Sequence, residues 1–116
     1  MKTFRTANGN QVECERETKT LQLKSVANTD YYKGKNHDAF TFRDGSDTYV
    51  YDAAMNADMT EYDSNFAREL AFAEGKYVKL SAYFVPVEEG RYYIYNPRLL
   101  NVEDYGWVKT YLWRYD

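Results

Sequence analysis

The sequence predicts a mostly β domain of the α+β class, a small five-stranded barrel with one helix, and three observations predict it. Residues 75–102 hold two alternating runs separated by a turn. Earlier segments alternate in the same way around Asn, Asp and Gly, and only residues 60–74 carry a helical period. Alternation of period 2 marks half-buried strands, whereas apolar residues at i, i+4 and i+7 mark one face of a helix.

The chain opens on a hairpin. Phe4 and Thr6 lead into Ala7-Asn8-Gly9-Asn10, and Val12 and Cys14 lead out, with Asn-Gly suited to a type I′ turn. Residues 20–26 alternate next, Leu21 and Leu23 inward, Gln22 and Lys24 outward. A polar loop is expected from Asn28 to Asp38, carrying Tyr31, Tyr32, Lys33, Gly34 and Lys35. Residues 39–43 and 48–51 then flank the turn Asp44-Gly45-Ser46-Asp47. With Phe40, Phe42 and Val50 inside, this hairpin presents Thr41, Arg43, Tyr49 and Tyr51 outside.

Residues 60–74 form the expected helix, with Thr60 and Asp63 as a capping box and Gly75 as the glycine that ends it. Phe66, Leu70 and Ala73 make its apolar face. In the hairpin that follows, Val78, Leu80, Ala82 and Phe84 form the inner row, and Tyr77, Lys79, Ser81 and Tyr83 the outer row. Beyond the turn Pro86–Gly90, Tyr92 and Ile94 share one face, and Arg91, Tyr93 and Tyr95 share the other. Residues 105–115 read as an aromatic C-terminal strand with Trp107, Tyr111, Trp113 and Tyr115 on one side.

Five strands with a helix between the third and fourth is the order of the OB-fold, a Greek-key barrel. The chain resembles OB-fold nucleic-acid-binding domains over about residues 19–102, within a single domain spanning 1–116. The segment Gly90-Arg91-Tyr92-Tyr93-Ile94-Tyr95-Asn96-Pro97-Arg98-Leu99 looks like the last barrel strand of such domains, which often ends in an Asn-Pro turn. The resemblance is one of element order and pattern and points to no specific family.

Composition narrows the function. The 116 residues suffice for one core without staples, and a lone cysteine, Cys14, precludes an internal disulfide framework. No run approaches the roughly 18–20 apolar residues that span a bilayer. The N-terminus lacks the apolar stretch of a secretory signal, so a cytoplasmic protein is expected. The net charge is −3, and residues 19–35 hold a local excess of Lys19, Lys24, Lys33 and Lys35 over Asp30. Any polyanion must therefore be held by a patch. The 13 Tyr, 6 Phe and 2 Trp exceed what so small a core needs, so some face solvent or a partner.

Enzyme chemistry finds no support. One His and one Cys stand at no metal-ligand spacing, and the Asp44–Asp47 turn lacks the twelve-residue calcium pattern. His37 with Ser25 or Ser46 lacks a nucleophile elbow, and no phosphate-binding glycine loop is present. No cofactor is expected. What remains is aromatic and basic interleaving, the chemistry of single-strand binding: bases stack on rings while Lys and Arg neutralise phosphates.

On an OB barrel the usual surface is the face of strands 2 and 3 with the loops between strands 1 and 2 and strands 4 and 5. That mapping gives Lys24, Tyr31, Tyr32, Lys33, Lys35, Arg43, Tyr49 and Tyr51 as the nucleic-acid site, for DNA in preference to RNA. The alternative is a protein-interaction or inhibitor module on the same scaffold, encoded by a phage or mobile element, with a second copy of the chain among its partners. Tyr83, Tyr93, Tyr95, Trp107, Tyr111 and Trp113 would form its interface, or the tail would fold over the three tyrosines as a flap. No membrane partner is expected.

Overall fold

The computed structural model describes residues 1–6, 9–32, 35–52 and 64–103, with 28–32, 35–38 and 64 described by their backbone alone. Among these residues seven strands and one helix follow in the order β1 (Lys2–Arg5), β2 (Gln11–Cys14), β3 (Glu17–Tyr32), β4 (Lys35–Asp44), β5 (Asp47–Tyr51), α1 (Ser64–Leu70), β6 (Tyr77–Glu88) and β7 (Arg91–Glu103). Strands β1 and β2 pair as a separate hairpin; the other five close a barrel in the order β3-β4-β5-β7-β6. All barrel pairings are antiparallel except β5 with β7, where Thr48 faces Arg91 and Val50 faces Tyr93. This is an OB-like barrel, and α1 lies between its third and fourth strands, as the sequence predicts.

The inner rows follow from the pleat, because successive side chains point to opposite faces. Leu21, Leu23, Phe40, Phe42, Val78, Leu80, Ala82, Phe84 and Ile94 are all buried in one cluster. Phe66, Leu70 and Ala73 join it from the helical segment and plug the barrel. Every inner residue assigned from alternation in β3, β6 and β7 is in place. Val50 is buried too, although its pleat position faces away from the barrel interior and it lies outside that cluster.

Several local expectations change. The polar loop at 28–38 is a ribbon: Asn28 pairs with Asp38, Thr29 with His37 and Tyr32 with Lys35. Its residues alternate poorly because a ribbon that continues past the core has no apolar face to satisfy. The first hairpin closes through Gly9 N–H to the Thr6 carbonyl (3.0 Å) and Thr6 N–H to the Asn10 carbonyl (2.8 Å), a three-residue connection in place of the Asn-Gly two-residue turn. Helix α1 ends at Leu70, four residues short of the expected boundary, while Thr60 and Asp63 lie outside the described residues. Gly75 instead completes a β-turn in which Lys76 N–H reaches the Ala73 carbonyl at 3.0 Å. Its φ of +89° is the positive value that the third position of a type II turn requires.

Likewise, β6 runs on through Pro86 to Glu88, so the second turn shrinks to Glu89-Gly90. Asn96-Pro97 makes no turn. It sits inside β7 at an irregularity between the pairs Ser81–Arg98 and Tyr83–Tyr95, with Asn96 at φ +51°. A bulge accepts both residues: proline has no N–H to give the ladder, and asparagine tolerates the left-handed region. The expected C-terminal strand, with Trp107, Tyr111, Trp113 and Tyr115, lies outside the described residues.

Candidate nucleic-acid interface

The tyrosines of β5 do not face solvent, and this is the main correction to the expected site. Asp44 pairs with Asp47 across a two-residue turn, which sets Tyr49 opposite Phe42 and Tyr51 opposite Phe40. Directly opposed residues share a face, so both tyrosines enter the core. Tyr51 is 0% exposed, with its ring edge-on to Phe66 at 5.2 Å. Tyr49 stacks on Tyr92 at 4.8 Å and meets Phe84 edge-on at 5.5 Å, while the Lys19 ammonium lies 5.9 Å from its ring centre. Its stacking face is occupied. Burial, reinforced by Asp47, pushes its phenol up to about 12.

Lys24 and Arg43 are where the sequence puts them, exposed on the outer surface. Gln22 pairs with Arg43 on one side and with Tyr77 on the other, so β3 carries β4 and β6 as neighbours at this point. A register shift between Leu23 and Ser25 makes Lys24 an extra residue that stands out from the ladder. The result is a groove of about 520 Å³ whose walls are Thr20, Gln22 and Lys24 of β3, Arg43–Gly45 of β4 and its turn, and Tyr77 of β6.

Hydrogen bonds organise its floor. The Gln22 Nε2 donates to the Gly75 carbonyl (3.2 Å), and Lys24 Nζ donates to Gln22 Oε1 (3.3 Å). Arg43 Nη2 makes a long bond to the Gly45 carbonyl (3.4 Å). Each cation keeps most of its donors for another acceptor, since lysine has three and arginine five. Among the described residues neither stands in an ion pair; Lys19, by contrast, is held by Glu17 at 3.4 Å. Asp44 is the one acidic side chain in the walls.

The other expected site residues divide. Tyr31, Tyr32 and Lys35 lie on the ribbon backbone of β3 and β4, and Lys33 lies outside the described residues. The outward positions of β4 from residue 39 onward and of β5, namely Ala39, Thr41, Arg43, Thr48 and Val50, include no aromatic. The usual binding face of such a barrel therefore lacks a stacking ring there. Tyr77 enters instead, because the barrel sets strand β6 beside β3. That neighbour relation follows from the barrel order, and it was the signal available in the sequence.

Tyr83 and Tyr95 are covered at least in part by the N-terminal hairpin. The Phe4 ring lies 5.3 Å from Tyr83 and 4.8 Å from Tyr95, and Phe4 is buried. Arg16 fastens the same region: its Nη1 donates to the Ser81 carbonyl (2.9 Å) and hydroxyl (3.2 Å), its Nη2 to the Asn96 carbonyl (3.0 Å). Its guanidinium also lies 4.8 Å from the Tyr83 ring. Trp107, Tyr111 and Trp113, expected over this patch, are outside the described residues. Nearby, burial pushes the Cys14 thiol up and Glu17 adds to the shift, which keeps it protonated and poorly nucleophilic.

Comparison with family models, with curated proteins and with solved structures gives no match to this chain, so any reading of function rests on its residues.

Proposed function

We propose that this protein is a non-catalytic binder of single-stranded nucleic acid, DNA in preference to RNA. The observation that carries the reading is the groove itself: Lys24 and Arg43, both without an ion-pair partner among the described residues, line it together with Tyr77 on the outside of an OB-like barrel. Cations that keep donors beside an accessible ring match a chain of phosphates and flat bases. Three exposed apolar side chains, Met1 (81%), Phe72 (93%) and Leu100 (53%), favour a protein-binding module, but scattered surface apolar residues are ordinary. The groove is the more specific feature.

Titration with oligo-dT, followed by intrinsic fluorescence, tests the reading. Binding at about 50 mM salt should quench the intrinsic emission and weaken steeply by about 200 mM. Absence of binding at the lower salt sinks the proposal.

A further inference from the structure

Resting on that reading, we infer that Tyr77 is the stacking platform of a base subsite on the outer face of β3, β6 and β7, and that the phosphates run from Arg43 past Lys79 to Arg98. This path departs from the face of strands 2 and 3 that such barrels usually use. The register supplies the geometry. One row across the sheet reads Arg43, Gln22, Tyr77, Glu103; the next reads Thr20, Lys79, Asn101; the third reads Thr18, Ser81, Arg98.

Each of these residues points outward, because Leu21, Leu23, Val78 and Leu80 between them are buried. Strand spacing of about 4.8 Å and a rise of about 3.3 Å per residue place Lys79 and Arg98 roughly 8 Å apart on the diagonal. Arg43 stands roughly 12 Å from Lys79 by the same measure, and Tyr77 sits at the corner of that diagonal, in the row of Arg43 and on the strand of Lys79. A base laid on Tyr77 would then have Lys79 two residues along the same strand and Arg43 two strands away in the same row. The Gln22 amide, its orientation fixed by Gly75 and Lys24, offers a polar edge to that base.

Acidic neighbours are few and defined. Asp44 closes one end of the groove, and Glu103 beside Tyr77 accepts a hydrogen bond from Asn101 Nδ2 at 2.9 Å. Neither lies on the diagonal. Of the other outward aromatics of β6 and β7, Tyr83 and Tyr95 are engaged by Phe4, and Tyr93 lies at the seam opposite Val50, which leaves Tyr77 as the ring that lines the groove.

The test is anisotropy of a labelled oligo-dT with the wild type and with Tyr77→Ala, Tyr77→Phe and Lys79→Ala/Arg98→Ala. Loss of one stacked base weakens binding roughly 5- to 150-fold for Tyr77→Ala, while Tyr77→Phe binds as the wild type. Tyr77→Leu retains packing volume and shows the same loss, which separates stacking from misfolding; circular dichroism confirms the fold of each. The Lys79/Arg98 double variant lowers the slope of log affinity against log salt by about 1.4, two contacts at about 0.7 each. Wild-type binding with Tyr77→Ala and Tyr77→Leu undiminished overturns the subsite alone. A wild type that does not bind oligo-dT overturns the functional reading and this inference with it.

Discussion

Tyr49 shows how one residue's surroundings decide its role. Its ring lies between Tyr92, Phe84 and the Lys19 ammonium, and its hydroxyl titrates near 12 because the folded chain withholds water from the phenolate. The ordinary value is about 10, so the unfolded chain ionises first as pH rises. Stability from this group is therefore complete below about pH 10 and is lost between about pH 10 and 12. Tyr49→Phe removes that loss, on the order of 2–3 kcal/mol for a shift of two units. Urea midpoints of the two proteins should converge at pH 8 and differ by pH 11.5; parallel pH profiles would refute the assignment. The orientation of Tyr49 was legible in principle. The Asp44–Asp47 pairing sets it opposite Phe42, whereas the alternation was read with Val50 as the inner residue, and both are buried.

Among the elements, the N-terminal hairpin and the β6–β7 hairpin form one unit. Phe4 packs on Tyr83 and Tyr95, and Arg16 ties β6 to the bulge at Asn96 through three hydrogen bonds. Phe4→Ala should cost about 3 kcal/mol of stability and raise the tyrosine accessibility to acrylamide, with far-ultraviolet dichroism unchanged. An unaltered urea midpoint would mean that the hairpin rests on the barrel without contributing to it. The sequence shows both hairpins clearly, since their periods and glycine turns are local. It does not show that they meet, because contacts between residues some 80 positions apart leave no local pattern. The ribbon of β3 and β4 failed for the opposite reason. Its pairing is local, yet it carries no apolar alternation from which to read it.

On the scale of the molecule, barrel closure explains both the success and the failure of the sequence reading. Strand number, the place of the helix in the strand order and the inner rows of β3, β4, β6 and β7 were legible from periodicity. The site was not, because β6 meets β3 through a long-range pairing that leaves no local pattern, in a sheet that closes through the parallel β5–β7 pair. Gly90 stands at that seam: its carbonyl accepts the Thr48 N–H at 2.8 Å, and its φ of +75° suits no branched side chain. The charge distribution follows the same geometry. Asp44, Asp47, Glu88 and Glu89 occupy the two turns beside the seam, whereas Lys24, Arg43, Lys79 and Arg98 lie on the outer face of the sheet. A chain of net charge −3 can thus still offer a cationic track.

The salt dependence of oligo-dT affinity, compared between the wild type and Lys24→Ala/Arg43→Ala, tests this account most directly. Both substitutions are on exposed side chains, so the variant should fold as the wild type does. Two lost phosphate contacts make the slope of log affinity against log salt shallower by about 1.4. A folded double variant with the wild-type slope would contradict the assignment of the groove.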